Sequence, residues 1–311
     1  MRYNIKKINL YHSLIFFLLI NIFSIIIDQN KNLIISPIIC LLLILTIGIS
    51  HGSLDHIKGK KLLNIIKVNN IYYFYFSYAF LAISIIIMWL IFPISMLILF
   101  LVVASYHFGK EDTHFLINDN LDSNKIFYFL KGSLIVIAPL NFHFEETIGI
   151  FKLLFIDSEK FYIYLGIIES LKIIPIIFLL SVFANFYLFI KKFKFIKFSI
   201  FLDFFSILIL NYYLPPLLAF TFYFCFLHSI RHTLSLILEI DENNFKNGLI
   251  LFIKKALPLT ILTIILYLIA LFYLNNSFEF NDSIVKVIFI GLASLTFPHI
   301  LLEYLLEKNE K

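Results

Sequence analysis

A helix that crosses a bilayer needs about 20 consecutive apolar residues, and this chain offers that length repeatedly. The stretch "IYYFYFSYAFLAISIIIMWLIF", Ile71–Phe92, carries no charge at all. Ten such blocks are expected, spanning approximately Leu10–Ile27, Leu33–Ser50, Ile71–Phe92, Ile94–Phe108, Ile126–Phe142, Leu171–Ile190, Phe198–Tyr213, Leu214–Leu238, Ala256–Leu274 and Ile284–Leu306. The fourth and seventh are short, so eight to ten crossings fit, and Phe151–Gly166 reads as interfacial. Apolar residues make up 61% of the chain and charged ones 14%, far from the balance of a water-soluble domain. The expected fold is all-α, a polytopic transmembrane helical bundle. No Pro/Gly/Ser-rich linker or compositional break divides it, which predicts one integral-membrane domain over residues 1–311.

Lysines set the orientation. Lys6 and Lys7 precede the first block, Lys58, Lys60, Lys61 and Lys67 follow the second, Lys191, Lys192, Lys194 and Lys197 follow the sixth, and Lys246, Lys254 and Lys255 precede the ninth. The intervening loops, such as "NFHFEETIGIF", are neutral or acidic. Positive loops stay in the cytoplasm, so both termini are placed there, in a multi-pass protein of the inner (plasma) membrane. Lysines confined to loops report topology and not nucleic-acid binding. Cys40 and Cys225 lie within apolar runs and read as packing residues.

With that orientation, blocks two, four, eight and ten run inward. His51, His107, His228, His232 and His299 then fall at one depth in the cytoplasmic half. His143 falls at the opposite face, and His12 at the entry of the first block. A lone intramembrane histidine is commonly a packing residue. Several polar clusters at one depth are not explained that way, because polar groups in a membrane are expensive and tend to be functional. Imidazole suits iron, copper, zinc and nickel, and His228 and His232, four apart, share one helical face. Around them Asp55, His56, Glu111, Asp112 and Glu303 are candidates to orient a histidine or neighbour the site. Tyr106, Phe108, Phe222, Tyr223 and Phe226 are candidates to line an apolar tunnel. Arg231 is one of only two arginines. It can pair with Asp55, Glu111 or Asp112, or extend its head to the interface.

Taken together, "HGSLDH", "SYHFGKED", "HSIRH" and "TFPH" resemble the Brp/Blh family of bacterial and archaeal membrane β-carotene 15,15′-dioxygenases. The resemblance runs from the second block to the last. It implies a non-haem Fe(II) centre with His51, His107, His228 and His232 as ligands, and His299 in the pocket or behind a ligand. It further implies cleavage of the central double bond of β-carotene by O2 to two all-trans-retinal, with the lipid bilayer as the substrate's solvent and a microbial rhodopsin as consumer of the product. Alternatives from the residues are a histidine-box desaturase or hydroxylase, a bis-histidine haem electron carrier, and a metal or proton transporter. No adjacent His pair of the desaturase type occurs, and a transporter would spread its polar residues over the full membrane depth.

Overall fold

The computed structural model describes residues 5–29, 36–114, 116, 123–191 and 193–309, and every regular element among them is helical. Helix α1 covers Ile5–Gln29. Helix α2, Pro37–Leu43, passes into a π-helical turn, Ile44–Gly48, and then a 3-10 stretch, Ile49–Leu54. There follow α3 Asp55–Ile65, α4 Tyr72–Ile91, α5 Pro93–His114, α6 Ser123–Phe142, α7 Phe144–Leu153, α8 Glu159–Ser170, α9 Ile173–Ile190 and α10 Phe198–Tyr213. Helix α11, Pro216–Phe222, continues through a second π-helical stretch, Tyr223–Ser229, into α12, Ile230–Ile240. The chain ends with α13, Phe245–Leu274, and α14, Phe280–Asn309.

Among the described residues, eight helices are long and apolar enough to cross a membrane; the pair Pro37–Gly48 and Gly52–Ile65, bent by 41°, makes nine if counted as one span. The difference from ten lies at the block expected over Leu214–Leu238. There the chain is interrupted by π-helix and carries His228, Arg231 and His232. Irregular backbone at membrane depth is tolerated only where protein encloses it. Tyr223, Phe224, Cys225, Leu227 and His228 are accordingly all buried.

Helix α14 is the axis of the bundle, packing against α2, α3, α4 and α13, while α5 packs on α6, α6 on α9 and α1 on α10. Small residues set the closest approaches, as they do where helices meet without a hydrophobic drive between them. A Cβ at Gly109 on α5 would overlap the Tyr128 carbonyl of α6, and one at Gly132 on α6 would overlap the Ser105 carbonyl of α5. This tight α5–α6 seam fixes the height and rotation of α5, which carries His107, Glu111 and Asp112. Gly48 plays the same part between the two π-helical stretches, since a Cβ there would come within 2.7 Å of the Phe224 ring. The Ser229 hydroxyl donates to the Gly48 carbonyl at 3.3 Å.

Candidate metal centre

Each π-helical stretch adjoins a histidine motif. Widening one turn rotates everything that follows, and such bulges recur at functional sites. The second ends at Ser229, so His228 lies in the widened turn and His232 one turn on, in α12. Two consecutive acids on α5 meet these two rings. His228 Nδ1 donates to Asp112 Oδ1 at 3.2 Å, and His232 Nδ1 lies 3.5 Å from Glu111 Oε2. A third ring is held the same way from elsewhere in the chain. His299 Nδ1, on α14, lies 2.9 Å from both oxygens of Asp55 at the start of α3.

The rings converge. The His107 centroid is 5.5 Å from those of His228 and His299, and His232 is 6.0 Å from His299. Glu303, one turn after His299 on α14, reaches into the group, with Oε1 3.5 Å from His299 Nε2 and Oε2 3.9 Å from His107 Nδ1. Candidate ligand atoms of His232, His299 and Glu303 lie within 4.8 Å of one another, as do those of His107, Glu111 and Glu303. The Lys58 ammonium donates to Glu303 at 2.8 Å, balancing one of the carboxylates.

Carboxylates behind the rings have a chemical consequence. A histidine that donates Nδ1–H to a carboxylate carries its lone pair on Nε2, the arrangement found behind metal-bound imidazoles. Two of the carboxylates are themselves fixed by tyrosines: the Tyr223 hydroxyl donates to Asp112 Oδ2 at 2.6 Å and the Tyr78 hydroxyl to Asp55 Oδ2 at 2.9 Å. The same Tyr–Asp–His chain thus occurs twice, on different helices. Imidazoles backed by acids, with further carboxylates beside them, fit a divalent transition-metal ion.

Sequence expectations fare unevenly against this geometry. His107, His228 and His232 come together. His51 falls on the 3-10 stretch that leads into Asp55, and its side chain lies outside the described residues. His299, expected in the pocket or behind a ligand, does line the cavity and also stands among the rings, because α14 is the bundle's axis and Asp55 turns its Nε2 inward. His143 caps α7 beside Glu146, outside the group. His12 lies outside it too, with Nε2 donating to the Phe226 carbonyl at 2.9 Å.

For Arg231 two of the three expected partners need correction. Asp55 belongs to His299 and Glu111 to His232. The guanidinium instead grips Asp203 of α10 with both ends, Nη1–Oδ2 2.8 Å and Nη2–Oδ1 2.9 Å. It also donates to the Ser13 hydroxyl of α1 at 2.9 Å. Asp112 is only a flanking partner, at 3.8 Å. The reason is helical phase: Arg231 is one residue before His232, about 100° round the helix, and so faces α1 and α10. Asp203, Tyr78, Ser13 and Lys58 are the site residues that sequence reasoning passed over. Asp203 had a signal, as the only acid within "FSIFLDFFSILIL".

Beside the rings lies a cavity of about 430 Å³, within the usual size range of small-molecule sites. His107, His299, Asp55 and His56 form its polar end, and Phe108, Phe224, Leu292, Leu295 and residues of α4 and α13 its apolar walls. Of the five expected tunnel residues only Phe108 lines it. Phe222 stacks on Phe23 of α1 at 4.7 Å, and Phe226, one turn along, shares that outer face. Tyr223 is spent on Asp112, and Tyr106 is absent from the walls. Phe224, on the other face, takes their place.

A family model described as "Beta-carotene 15,15'-dioxygenase" matches residues 42–307 of this chain. Among curated proteins, the "Beta-carotene 15,15'-dioxygenase" of uncultured marine bacterium 66A03 is similar, with 24% identity over 266 residues, 84% of this chain and 90% of that protein. No solved structure matches the chain significantly.

Proposed function

Because this chain belongs to the β-carotene 15,15′-dioxygenase family, we propose that it cleaves the central double bond of β-carotene with O2, giving two molecules of all-trans-retinal. The balance is complete without another reductant: both atoms of O2 enter product, one at each carbon of the broken bond. The observation that carries the reading is the convergence of carboxylate-backed histidines at the polar end of an otherwise apolar cavity.

Ferrous iron is the proposed metal, held by His107, His228 and His232 together with His299 and, following the resemblance, His51. When bound, it supplies the activation of O2 that a hydrocarbon substrate cannot provide. The protein's own contribution is positional. Asp112 and Asp55, each fixed by a tyrosine, and Glu111 orient the His228, His299 and His232 imidazoles from their Nδ1 side, which leaves Nε2 as the atom each would offer a metal. Phe108 and Phe224 wall the cavity beside His107 and His228 and exclude water from the polyene's reacting carbons. Lys58 and Arg231 offset the negative charge gathered behind the rings.

The proposed setting is the inner membrane with the histidine end toward the cytoplasm, and a retinal-binding rhodopsin is the proposed consumer of the product. The test is direct: purified protein loaded with Fe(II) is given β-carotene and air. Two retinal per carotenoid consumed is expected. Cleavage at an eccentric bond, full activity with zinc alone, or two irons per chain would overturn the proposal.

A further inference from the structure

Away from Phe108 and Phe224, the apolar walls of the cavity are drawn mainly from three helical faces. On α4 they are Phe74, Tyr75, Tyr78, Ala79 and Ala82, on α13 Leu259 to Leu266, and on α14 Leu292, Leu295, Thr296 and His299. At about 1.5 Å per residue, each stripe runs roughly 10–12 Å from the histidine end toward the middle of the bundle. Helices α4 and α13 both pack on or beside α14 but barely touch one another. They are also the least buried candidate spans among the described residues. Tyr75, Leu262 and Leu266 line the cavity and yet are 39%, 51% and 55% exposed, so the same side chains face both the cavity and the surroundings of the bundle.

We infer that carotenoid enters this cavity sideways from the bilayer, through the gap between α4 and α13, with Ala79 and Ala82 as its sill. The inference rests on the functional reading above. Five observations favour that route. The gap faces lipid, where a C40 hydrocarbon is dissolved. Its two threonine hydroxyls on α13 are already engaged, Thr260 and Thr263 donating to their own helix at Ala256 and Leu259, 3.0 and 2.9 Å. Beyond Leu266 the far end is closed by Tyr267, whose phenol lies over Gly291 of α14. At the polar end, the Lys58–Glu303 and Lys110–Glu307 ion pairs tie α3 and α5 to α14, leaving charge where an apolar chain would have to pass. Two alanines on adjoining turns of α4 leave room for a flat polyene that larger side chains would fill.

The experiment uses one protein before and after blocking the gap. Cys40 and Cys225 are both buried, so a thiol introduced by Ala79→Cys is the accessible one. Iron-loaded Ala79→Cys is assayed on β-carotene, then again after reaction with pyrenyl maleimide, with iron measured both times. Phe80→Cys, about 100° round α4 from Ala79 and 61% exposed in the native residue, is the labelled control. Labelling the Ala79→Cys variant should lower kcat/KM at least tenfold with iron unchanged, and labelling the Phe80→Cys variant should leave it within twofold. Ala82→Trp should match labelled Ala79→Cys, again with iron retained. Unchanged turnover after labelling Ala79→Cys, or equal losses in both labelled variants, overturns the route while leaving the functional reading intact. Unlabelled, iron-loaded Ala79→Cys and wild type that both leave β-carotene untouched overturn the functional reading and the route together.

Discussion

Replacing Arg231 tests why a chain that uses lysine at nearly every other basic position keeps an arginine here. The guanidinium makes two parallel bonds to Asp203, at 2.8 and 2.9 Å, and a third to Ser13, with 3% of its surface exposed. Removing one partner of a buried ion pair leaves an uncompensated charge and costs about 3–5 kcal/mol, so Arg231→Met should destabilise by that amount. Lysine keeps the charge but not the fork. Arg231→Lys therefore loses at least one charge-assisted bond, about 1.5–3 kcal/mol. Arg231→Met with Asp203→Leu removes both charges and should recover most of the loss. Titrating detergent-solubilised protein with SDS and following helix loss gives the three differences directly. Arg231→Met within about 0.5 kcal/mol of wild type, the range of an inconsequential surface change, or a double variant less stable than Arg231→Met, would show that the pair does not carry the junction of α1, α10 and α12.

Gly109→Ala pushes a methyl into the Tyr128 carbonyl and should separate α5 from α6. Overpacking of this kind costs about 1–3 kcal/mol, and bound iron should fall with it because His107 moves with α5. Substituting His107, His228, His232 or His299 by alanine should each empty the metal site on elemental analysis, while His143→Ala keeps its iron; retention in His299→Ala would return that ring to the role of a neighbour. Outside the membrane, Asp241 accepts from the Asn247 side chain and from two backbone amides ahead of α13. These bonds hold its carboxyl below the ordinary value of 3.8, the Asn247 bond first. Its contribution to stability is therefore present above that value and lost as pH falls through the lower folded-state value. The melting difference between wild type and Asp241→Ala should be constant near neutrality and vanish in acid below pH 3.8. Reporter fusions after Lys67, Lys197 and Lys255 should read as cytoplasmic and those near Glu145 and Glu279 as external; the reverse would put the histidine end on the other side.

Runs such as Ile71–Phe92 dictate helices by themselves, because a backbone in hydrocarbon has to satisfy its own hydrogen bonds. The order of those runs, read with the lysine-rich loops, is what predicts that the histidine motifs share one end. That much is local chemistry and needs no tertiary contact. Pairing is different. Nothing in the spacing of "HSIRH" says that Arg231 will grip Asp203, 28 residues upstream, and leave Asp112 at 3.8 Å. Helical phase turns it away from its histidine neighbours, and only the packing of α1 and α10 against α12 decides what stands opposite. His299 and Asp55, 244 positions apart, are joined in the same way. Which aromatics face the cavity was also undecided, because a π-helical turn shifts the face on which every later residue falls. Tyr223 and Phe224 look interchangeable in a phenylalanine-rich run, yet one props a carboxylate and the other walls the cavity. Their roles follow from which neighbouring helix lies within reach of each, a property of the assembled bundle alone.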